Sequence, residues 1–499
     1  MGFYEDLEKN TTKRTENGAV GNITTGHKLV DLNFDIPSFR NGIDEDLFEE
    51  SLLQDERLTL KWLLFLRDIR GGAGERQSFR EFVVHLIKYD KDLAIKFLSV
   101  VSIEEYGRWD DYIDIYFNID DYEVRSMIEN KIRSQFQLDM ENYHKGKPIS
   151  LLSKWLPSIN ASSTETKRRA KKLITILGVG NEKHYRKILS ALRKHIDVVE
   201  KKMSANEWQE INYEHVPSKA NLIYANAFMR HDEERRVSYF ESLKKGEAKI
   251  NADALFLHDI VHRYGNSTWN LKDYDETLEQ LWKAQEKVEG FEETVVVRDG
   301  SGSMTATIGN SNVSALDVAN AITLYCAENN KGEFKDKFIT FSSSAKVVNL
   351  SGKKTLHDKL ERMTKEDDYS TTNIENVFDL ILETAKKKNM SQEDLPKTVL
   401  IVSDLEYNAC SGRPNKHLFE AIQEKYADEG YKMPKLIFWN VNSRTNTIPI
   451  TRNENGVALI SGFSKSLMRM VMSSKLDPYD ILVEQLETPR YSCIDAIYE

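Results

Sequence analysis

Hydrophobic positions divide the chain into two regions of different periodicity. From about Asp44 to Glu289, apolar residues recur with the helical period, Gly and Pro are few, and no stretch alternates as a strand would. After about residue 290, short β-branched runs alternate with helical stretches. The pattern predicts an N-terminal all-α array of helices over residues 31–289, without an exact repeat period, followed by a doubly wound, Rossmann-like α/β domain over residues 290–499. The polar residues 1–30 are predicted to form a flexible N-terminal arm.

The second region contains enough strand signals to predict its sheet. The five near-continuous apolar runs are Thr294–Arg298, Lys337–Phe341, Lys397–Ser403, Lys435–Asn440 and Val457–Ile460. A sixth run, Ala345–Leu350, follows the second after only a few Ser residues, so these two runs should form an antiparallel hairpin at one edge. The other strands should be parallel.

Composition narrows the class of protein. The chain has 499 residues, a formal net charge of −10 and three widely spaced cysteines. No apolar run approaches the length of a membrane span, and three distant cysteines cannot form a disulfide framework. We expect a monomeric cytoplasmic protein that does not bind membranes.

The charge is distributed unevenly along this acidic chain. Between Lys131 and Arg230 there are 19 Lys plus Arg against 9 Asp plus Glu, a local excess of +10. Such a zone is either a solvated face or a surface that binds polyanions. Asn181 is the expected N-cap of a helix that places its cations opposite an apolar stripe. The candidate RNA-binding residues are Lys167, Arg168, Arg169, Lys171, Lys172, Arg186, Lys187, Arg193 and Lys194.

Oxygen-bearing side chains follow three of the predicted strands. The first strand ends in an Asp-x-Ser-x-Ser turn, and Thr372 and Asp404 lie at later strand ends. Ligands bind beyond the carboxyl ends of parallel strands, and carboxylates with hydroxyls suit a hard divalent cation. The sequence therefore predicts a metal site formed by Asp299, Ser301, Ser303, Thr372 and Asp404. Whether Thr371 or Thr372 is the ligand stays open, and Glu406 is equally explained as a solvated loop charge.

This set of residues resembles the metal-ion-dependent adhesion site (MIDAS) of a von Willebrand factor A domain. The resemblance covers about residues 290–499 and includes the order of elements. It implies that Ser301, Ser303 and Thr372 bind Mg²⁺ directly or through water, and that Asp299 and Asp404 act through ordered waters. It also implies an open coordination position for a carboxylate or other oxygen of a protein partner.

The helical region contains a second motif, an Arg-Asp-Ile-Arg-Gly-Gly-x-Gly-Glu-Arg string over residues 67–76. It is compatible with phosphate binding, and also with a buried helix corner in which Arg67, Asp68 and Glu75 pair internally. The string resembles the TROVE module of Ro-type RNA-binding proteins, and more closely an uncharacterised family of similar layout. The Ro resemblance implies HEAT-like helical repeats that form a ring, and binding of non-coding or misfolded RNA.

The leading prediction is a non-catalytic RNA-binding scaffold, part of a ribonucleoprotein, with a Mg²⁺-binding A domain. The alternative is a metal-dependent protein–protein interaction module without RNA. A third hypothesis is a metal-dependent nuclease or other hydrolase, but neither region offers a convincing set of catalytic residues. Even the His258-x-x-x-His262 pair lacks the Glu base of a zinc protease.

Overall fold

The computed structural model describes residues 11–266, 270–288, 291, 293–453 and 455–499. The chain forms two compact units, each assembled from separate segments. We call the first the sheet unit: the residues up to Leu66, with Arg70–Gly74 and Ala252–Ser492. The second is the helical unit: Arg67–Ile69, Glu75–Asn251 and Cys493–Glu499. These units divide the chain differently from the predicted ranges 31–289 and 290–499, because residues 31–66 and 252–289 belong to the sheet unit.

The described part of the chain begins with a short hairpin and three α-helices. They are β1 (Thr12–Arg14), β2 (Val20–Asn22), α1 (Lys28–Phe34), α2 (Glu45–Gln54) and α3 (Glu56–Arg67). Nearly all of α1 is buried, because its apolar residues lie on more than one face. The carbonyl oxygen of Phe34 accepts hydrogen bonds from Asn440 and Ser461 at the end of the sheet, at 2.8 and 2.6 Å. These bonds attach α1 directly to the sheet.

The middle of the chain is helical, as predicted. Its helices are α4 (Gln77–Tyr89), α5 (Lys91–Val100), α6 (Ile103–Tyr106), α7 (Trp109–Asn118), α8 (Tyr122–His144), α9 (Leu152–Trp155), α10 (Thr164–Leu177), α11 (Glu182–His195), α12 (Val199–Ser204), α13 (Ser218–His231) and α14 (Glu233–Lys245). Helix α11 begins where the sequence predicts, since the Asn181 side chain accepts a hydrogen bond from the His184 amide. Tyr185, Leu189 and Leu192 form its buried stripe.

The remaining elements alternate between helices and strands. They are α15 (Leu257–Tyr264), α16 (Glu276–Lys283), β3 (Thr294–Asp299), α17 (Ala315–Asn329), β4 (Lys337–Phe341), β5 (Ala345–Asn349), α18 (Leu356–Thr364), α19 (Glu375–Lys388), β6 (Thr398–Ser403), α20 (Leu418–Asp428), β7 (Lys435–Asn440), β8 (Val457–Ser461), α21 (Met468–Val471) and α22 (Pro478–Leu486). No helix in the described ranges is long and apolar enough to cross a membrane.

The six-stranded sheet has the order β5-β4-β3-β6-β7-β8. Strand β5 is antiparallel to β4 at one edge, and the other neighbours are parallel, which confirms the predicted mixed sheet and its edge hairpin. The first strand of this sheet in the chain, β3, lies in the middle, and the chain builds outward from it in both directions. The point where this direction reverses, between β3 and β6, is where open α/β sheets bind ligands.

Residues 11–30 differ from the predicted flexible arm, and residues 1–10 lie outside the described part. Strands β1 and β2 pair in an antiparallel hairpin, and β2 continues into a backbone bridge with Ile448. The hairpin fits closely, since a Cβ at Gly21 would lie 2.6 Å from the Ile448 carbonyl oxygen. Polar composition suggested an arm, but the hairpin gains its order from hydrogen bonds to distant parts of the sheet unit.

Candidate functional site

The two predicted carboxylates meet at the reversal point of the sheet. Asp299 ends β3, and Asp404 follows β6, the strand that is hydrogen-bonded to β3. Neither residue has any exposed surface. Two acids that are remote in sequence are thereby placed side by side in a buried position. We call the group Asp299, Ser301, Ser303, Thr372 and Asp404 the strand-end site.

Asp299 is held by hydroxyl and amide donors. Ser403 Oγ donates to its Oδ2 at 2.5 Å, and the Ser301 amide donates to its Oδ1 at 2.9 Å. Burial nevertheless raises the pKa of Asp299, against the opposing effect of these hydrogen bonds. The next turn brings the Ser301 and Ser303 hydroxyl oxygens within 3.0 Å of each other.

Asp404 is an acid with a strongly perturbed pKa. Burial, followed by the charge of Asp299, raises the pKa of Asp404 to about 7, although a hydrogen bond from Ser303 lowers it. Arg444 Nη1 lies 3.3 Å from Asp404 Oδ2 and provides partial compensation. A pair of adjacent buried carboxylates carries an excess of negative charge that a cation would relieve.

The structure distinguishes between the two threonines. Thr372 is buried and its Oγ1 lies 3.4 Å from the Asn17 side-chain nitrogen, whereas Thr371 is exposed and its hydroxyl bonds to Asn408. The preceding loop lies against the Ser301–Ser303 turn, because the Gly302 amide donates to the Ser370 carbonyl oxygen at 3.1 Å. Of the two, Thr372 is therefore the buried residue and the better candidate for a ligand.

The interpretation of Glu406 as a solvated loop charge is wrong. Its side chain is fully buried. The carboxylate accepts hydrogen bonds from the backbone amides of Glu16, Arg444 and Thr445 at 2.7–2.9 Å. Asn17 also donates to the Glu406 carbonyl oxygen at 2.6 Å. Glu406 thus anchors the tip of the β1–β2 hairpin beside the strand-end site.

The strand-end site offers two carboxylates and three hydroxyl groups as oxygen donors. Among the residues that the structure describes, no group of three Asp, Glu, His or Cys side chains could hold a metal. A cation here would therefore depend on hydroxyl groups and waters in addition to the two carboxylates. Oxygen-only coordination completed by water is typical of Mg²⁺. The incompletely neutralised buried pair Asp299 and Asp404 is the observation in favour of this fit.

The Gly-rich Arg string contributes to a buried ion-pair cluster in the helical unit. Arg67 and Arg80 both bind Asp111, at 2.8 and 2.7 Å, and the Asp111 side chain has no exposed surface. A Cβ at Gly107 would lie 2.6 Å from Asp111 Oδ2, so this position is closely packed. For Arg67, this geometry favours the buried helix corner over phosphate binding. Its partner Asp111 was not identified from the sequence.

The cations of α10 are mostly neutralised within the protein. Arg168 and Arg169 both bind Glu165, and Arg169 also binds Asp114 at 3.0 Å. Lys171 and Lys172 have looser carboxylate partners, at 3.4 Å in Glu182 and 3.8 Å in Glu129. Only Lys167 of the predicted α10 residues has no carboxylate partner among the described residues. The predicted RNA-binding residues on this helix therefore contribute little free positive charge.

The cations of α11 are different. Lys183, Arg186, Lys187 and Lys194 are exposed, and none has a carboxylate partner within the described ranges. Arg193 donates to the neutral carbonyl oxygens of Ser153 and Leu156 and has no carboxylate partner among the described residues. We call Lys183, Arg186, Lys187 and Lys194 the cationic face of α11. Lys183 was not among the predicted RNA-binding residues, although its position on the same helix as Arg186 and Lys187 indicated it.

These features define a protein with a helical unit, an α/β sheet unit and an oxygen-rich site at the strand ends. Models of two domains of unknown function match it: DUF2828 over residues 163–295 and DUF7788 over residues 293–488. An uncharacterised protein, L728, of Acanthamoeba polyphaga mimivirus is 27% identical over 95% of this chain and 87% of its own length. The crystal structure of the Deinococcus radiodurans Ro (RSR) protein aligns over 93% of both chains, with 12% identity and a TM-score of 0.35. A TM-score this low does not establish a shared fold.

Proposed function

We propose that this protein is a non-catalytic RNA-binding scaffold that binds structured or single-stranded non-coding RNA, including misfolded RNA, as Ro-type proteins do. The observation that carries the proposal is the cationic face of α11, four exposed cations without a carboxylate partner among the described residues. Unpaired cations on one helix face can bind phosphates without first breaking an internal ion pair, and each phosphate contact releases counterions from the RNA. The resemblance of the Arg-rich string to the TROVE module supports RNA as the polyanion.

The experiment compares two variants with the same change in charge. In the first, Lys183, Arg186, Lys187 and Lys194 are all replaced by Gln; in the control, Arg168, Arg169, Lys171 and Lys172 are replaced by Gln. Affinity for a labelled structured RNA is measured between about 50 and 200 mM salt, a range over which phosphate contacts weaken binding by orders of magnitude. We expect the first variant to lose about one unit of the salt slope for each phosphate contact removed, and the control to lose less.

Two results would count against this proposal. If the wild-type protein binds no RNA at low salt, the function is wrong. If the two variants lose affinity equally, RNA responds to the overall charge and the cationic face of α11 is not the interface. Sequencing of RNA that co-purifies with the wild-type protein identifies the natural ligand, and circular dichroism confirms that both variants are folded.

As part of the same proposal, the strand-end site binds Mg²⁺ in a fold like that of a von Willebrand factor A domain. Ser301, Ser303 and Thr372 would supply hydroxyl oxygens, with Asp299 and Asp404 close by. The metal would neutralise the paired carboxylates. We assign it a structural role, because Asn17 and the rest of the hairpin tip already cover the Thr372 side of the site.

The alternative, capture of a partner carboxylate by the metal, has the same donor set in its favour. It requires an open coordination position, and the buried Thr372 and Asp404 speak against one. Asp299→Ala separates the two roles. It should abolish partner capture in a pulldown if the site recruits a protein, and it should leave RNA affinity nearly unchanged if the site is structural.

A further inference from the structure

A recess lies beside the cationic face of α11 in the helical unit. It has a volume of about 400 Å³ and is lined by the Ser158–Asn160 loop, α11 and the start of α12. The buried residues Tyr185 and Leu189 form part of its lining. Four cationic residues line it: Arg186, Lys187, Arg193 and Lys201.

The lining is cationic and contains polar groups suited to an anion. None of the described residues that line the recess is acidic. Lys201 donates to the Ser190 hydroxyl, at 3.0 Å, and so brings a charge from α12 to α11. The Ser158 and Asn160 side chains add neutral polar groups to the lining. Cations from two helices, together with hydroxyl and amide groups, form a recess that suits a cluster of phosphate oxygens.

Arg193 provides an independent indication. Its guanidinium is largely buried, and its hydrogen-bond partners are the carbonyl oxygens of Ser153 and Leu156, at 2.8 and 2.6 Å. Burial lowers the pKa of Arg193, and no carboxylate among the described residues offsets this effect. A buried cation paired only with neutral groups is costly, and an anion bound in the recess that Arg193 lines would reduce that cost.

We propose that this recess binds a phosphate group of RNA, held by Arg186, Lys187 and Lys201. The inference rests on the proposed RNA-binding function and specifies one phosphate subsite within it. It adds Lys201, which no carboxylate neutralises among the described residues, to the residues that contact RNA. Arg193, which also lines the recess, adds to its positive charge.

The test uses matched double variants of the full chain and a fluorescently labelled, single-stranded oligouridine with a 5′-phosphate. Arg186→Gln with Lys201→Gln removes two charges from the recess. Lys183→Gln with Lys194→Gln removes two charges from the same surface outside it. We expect the first pair to weaken binding by about tenfold more than the second, the loss typical of one charge-assisted phosphate contact.

The outcomes separate this inference from the function itself. Equal loss of affinity in both double variants, with the wild type still binding, would overturn the phosphate subsite and leave RNA binding intact. Absence of binding by the wild type would overturn both. A parallel oligouridine with a 5′-hydroxyl identifies the phosphate: weaker binding than that of the phosphorylated oligomer assigns the terminal phosphate, and equal binding assigns an internal phosphodiester. Lys201→Gln alone provides a milder variant, since its exposed side chain donates to a single surface hydroxyl.

Discussion

Arg444 and Glu16 form a bidentate ion pair that connects the N-terminal hairpin to the strand-end site. Arg444 Nε and Nη2 donate to the two carboxylate oxygens of Glu16 at 2.7 and 2.6 Å. The third guanidinium nitrogen lies 3.3 Å from Asp404. One cation thus compensates an acid of the sheet and holds the hairpin that covers it.

Glu16→Gln should loosen the hairpin without unfolding the protein. Both partners are substantially exposed, so the pair should contribute less than about 1 kcal/mol to local stability. We expect amide hydrogen exchange in β1 and β2 to accelerate by up to about fivefold, while the central strands keep their protection. Glu361→Gln, which removes an exposed ion pair on α18, is the control. Unchanged exchange in the hairpin would show that its other hydrogen bonds, including those to Glu406 and Ile448, hold it without this ion pair.

The parts of the fold that depend on local pattern were predictable from sequence. Runs such as Val295–Val297 and Val399–Val402 mark buried strands directly, and the Ser residues after Phe341 mark the edge hairpin. The order of these elements then places Asp299 beside Asp404. The turn after Asp299 and the position of Asp404 could be found in this way because each follows an apolar run. Thr372, which the sequence places at a strand end, lies instead in the loop that precedes α19.

Long-range pairing could not be predicted. Glu16 contacts Glu406, which is 390 residues later, and no local pattern in a polar N-terminal segment indicates such a partner. The same limit applies to the charged helices. Arg169 looks as free as Arg186 in the sequence, but its partner Asp114 lies 55 residues earlier. Only the structure separates neutralised cations from those available to a ligand.

Asp111→Asn should destabilise the helical unit strongly. The substitution leaves the buried Arg67 and Arg80 without their shared carboxylate, and breaking a buried ion pair typically costs about 3–5 kcal/mol. The free energy of unfolding, measured in urea by circular dichroism, should fall by this order. Glu165→Gln, which removes an exposed carboxylate from α10, should have a much smaller effect. Equal effects of the two substitutions would mean that the Asp111 cluster is not a stabilising core.

Asp368 should make stability depend on acid pH. Burial raises its pKa, but hydrogen bonds from Ser342 and Ser370 outweigh burial and lower the pKa to about 2 from the ordinary 3.8. A lowered pKa in the folded state means that the ionised form stabilises the fold above the unfolded pKa, and that this contribution is lost as the pH falls towards 2. The difference in the free energy of unfolding between the wild type and Asp368→Asn should therefore be constant above about pH 5. It should shrink as the pH falls from about 4 to 2. Urea titrations at each pH measure it, and a gap that does not change with pH would contradict the prediction.

Asp404→Asn should have opposite effects with and without metal. In EDTA the substitution removes one of two adjacent buried carboxylates, so the melting temperature should stay the same or rise. The Asn side chain keeps an oxygen to accept the Glu406 amide, which limits structural damage. With Mg²⁺ in large excess over its dissociation constant, the wild type should gain about 2–3 kcal/mol by mass action, and the variant should gain much less. Thermal unfolding in EDTA and in a Mg²⁺ series gives both results, with Asp394→Asn on the exposed surface as the control. If the wild-type melting temperature does not change with Mg²⁺ concentration, the metal is removed from the proposed function. Arg444 is then the cation that compensates Asp404.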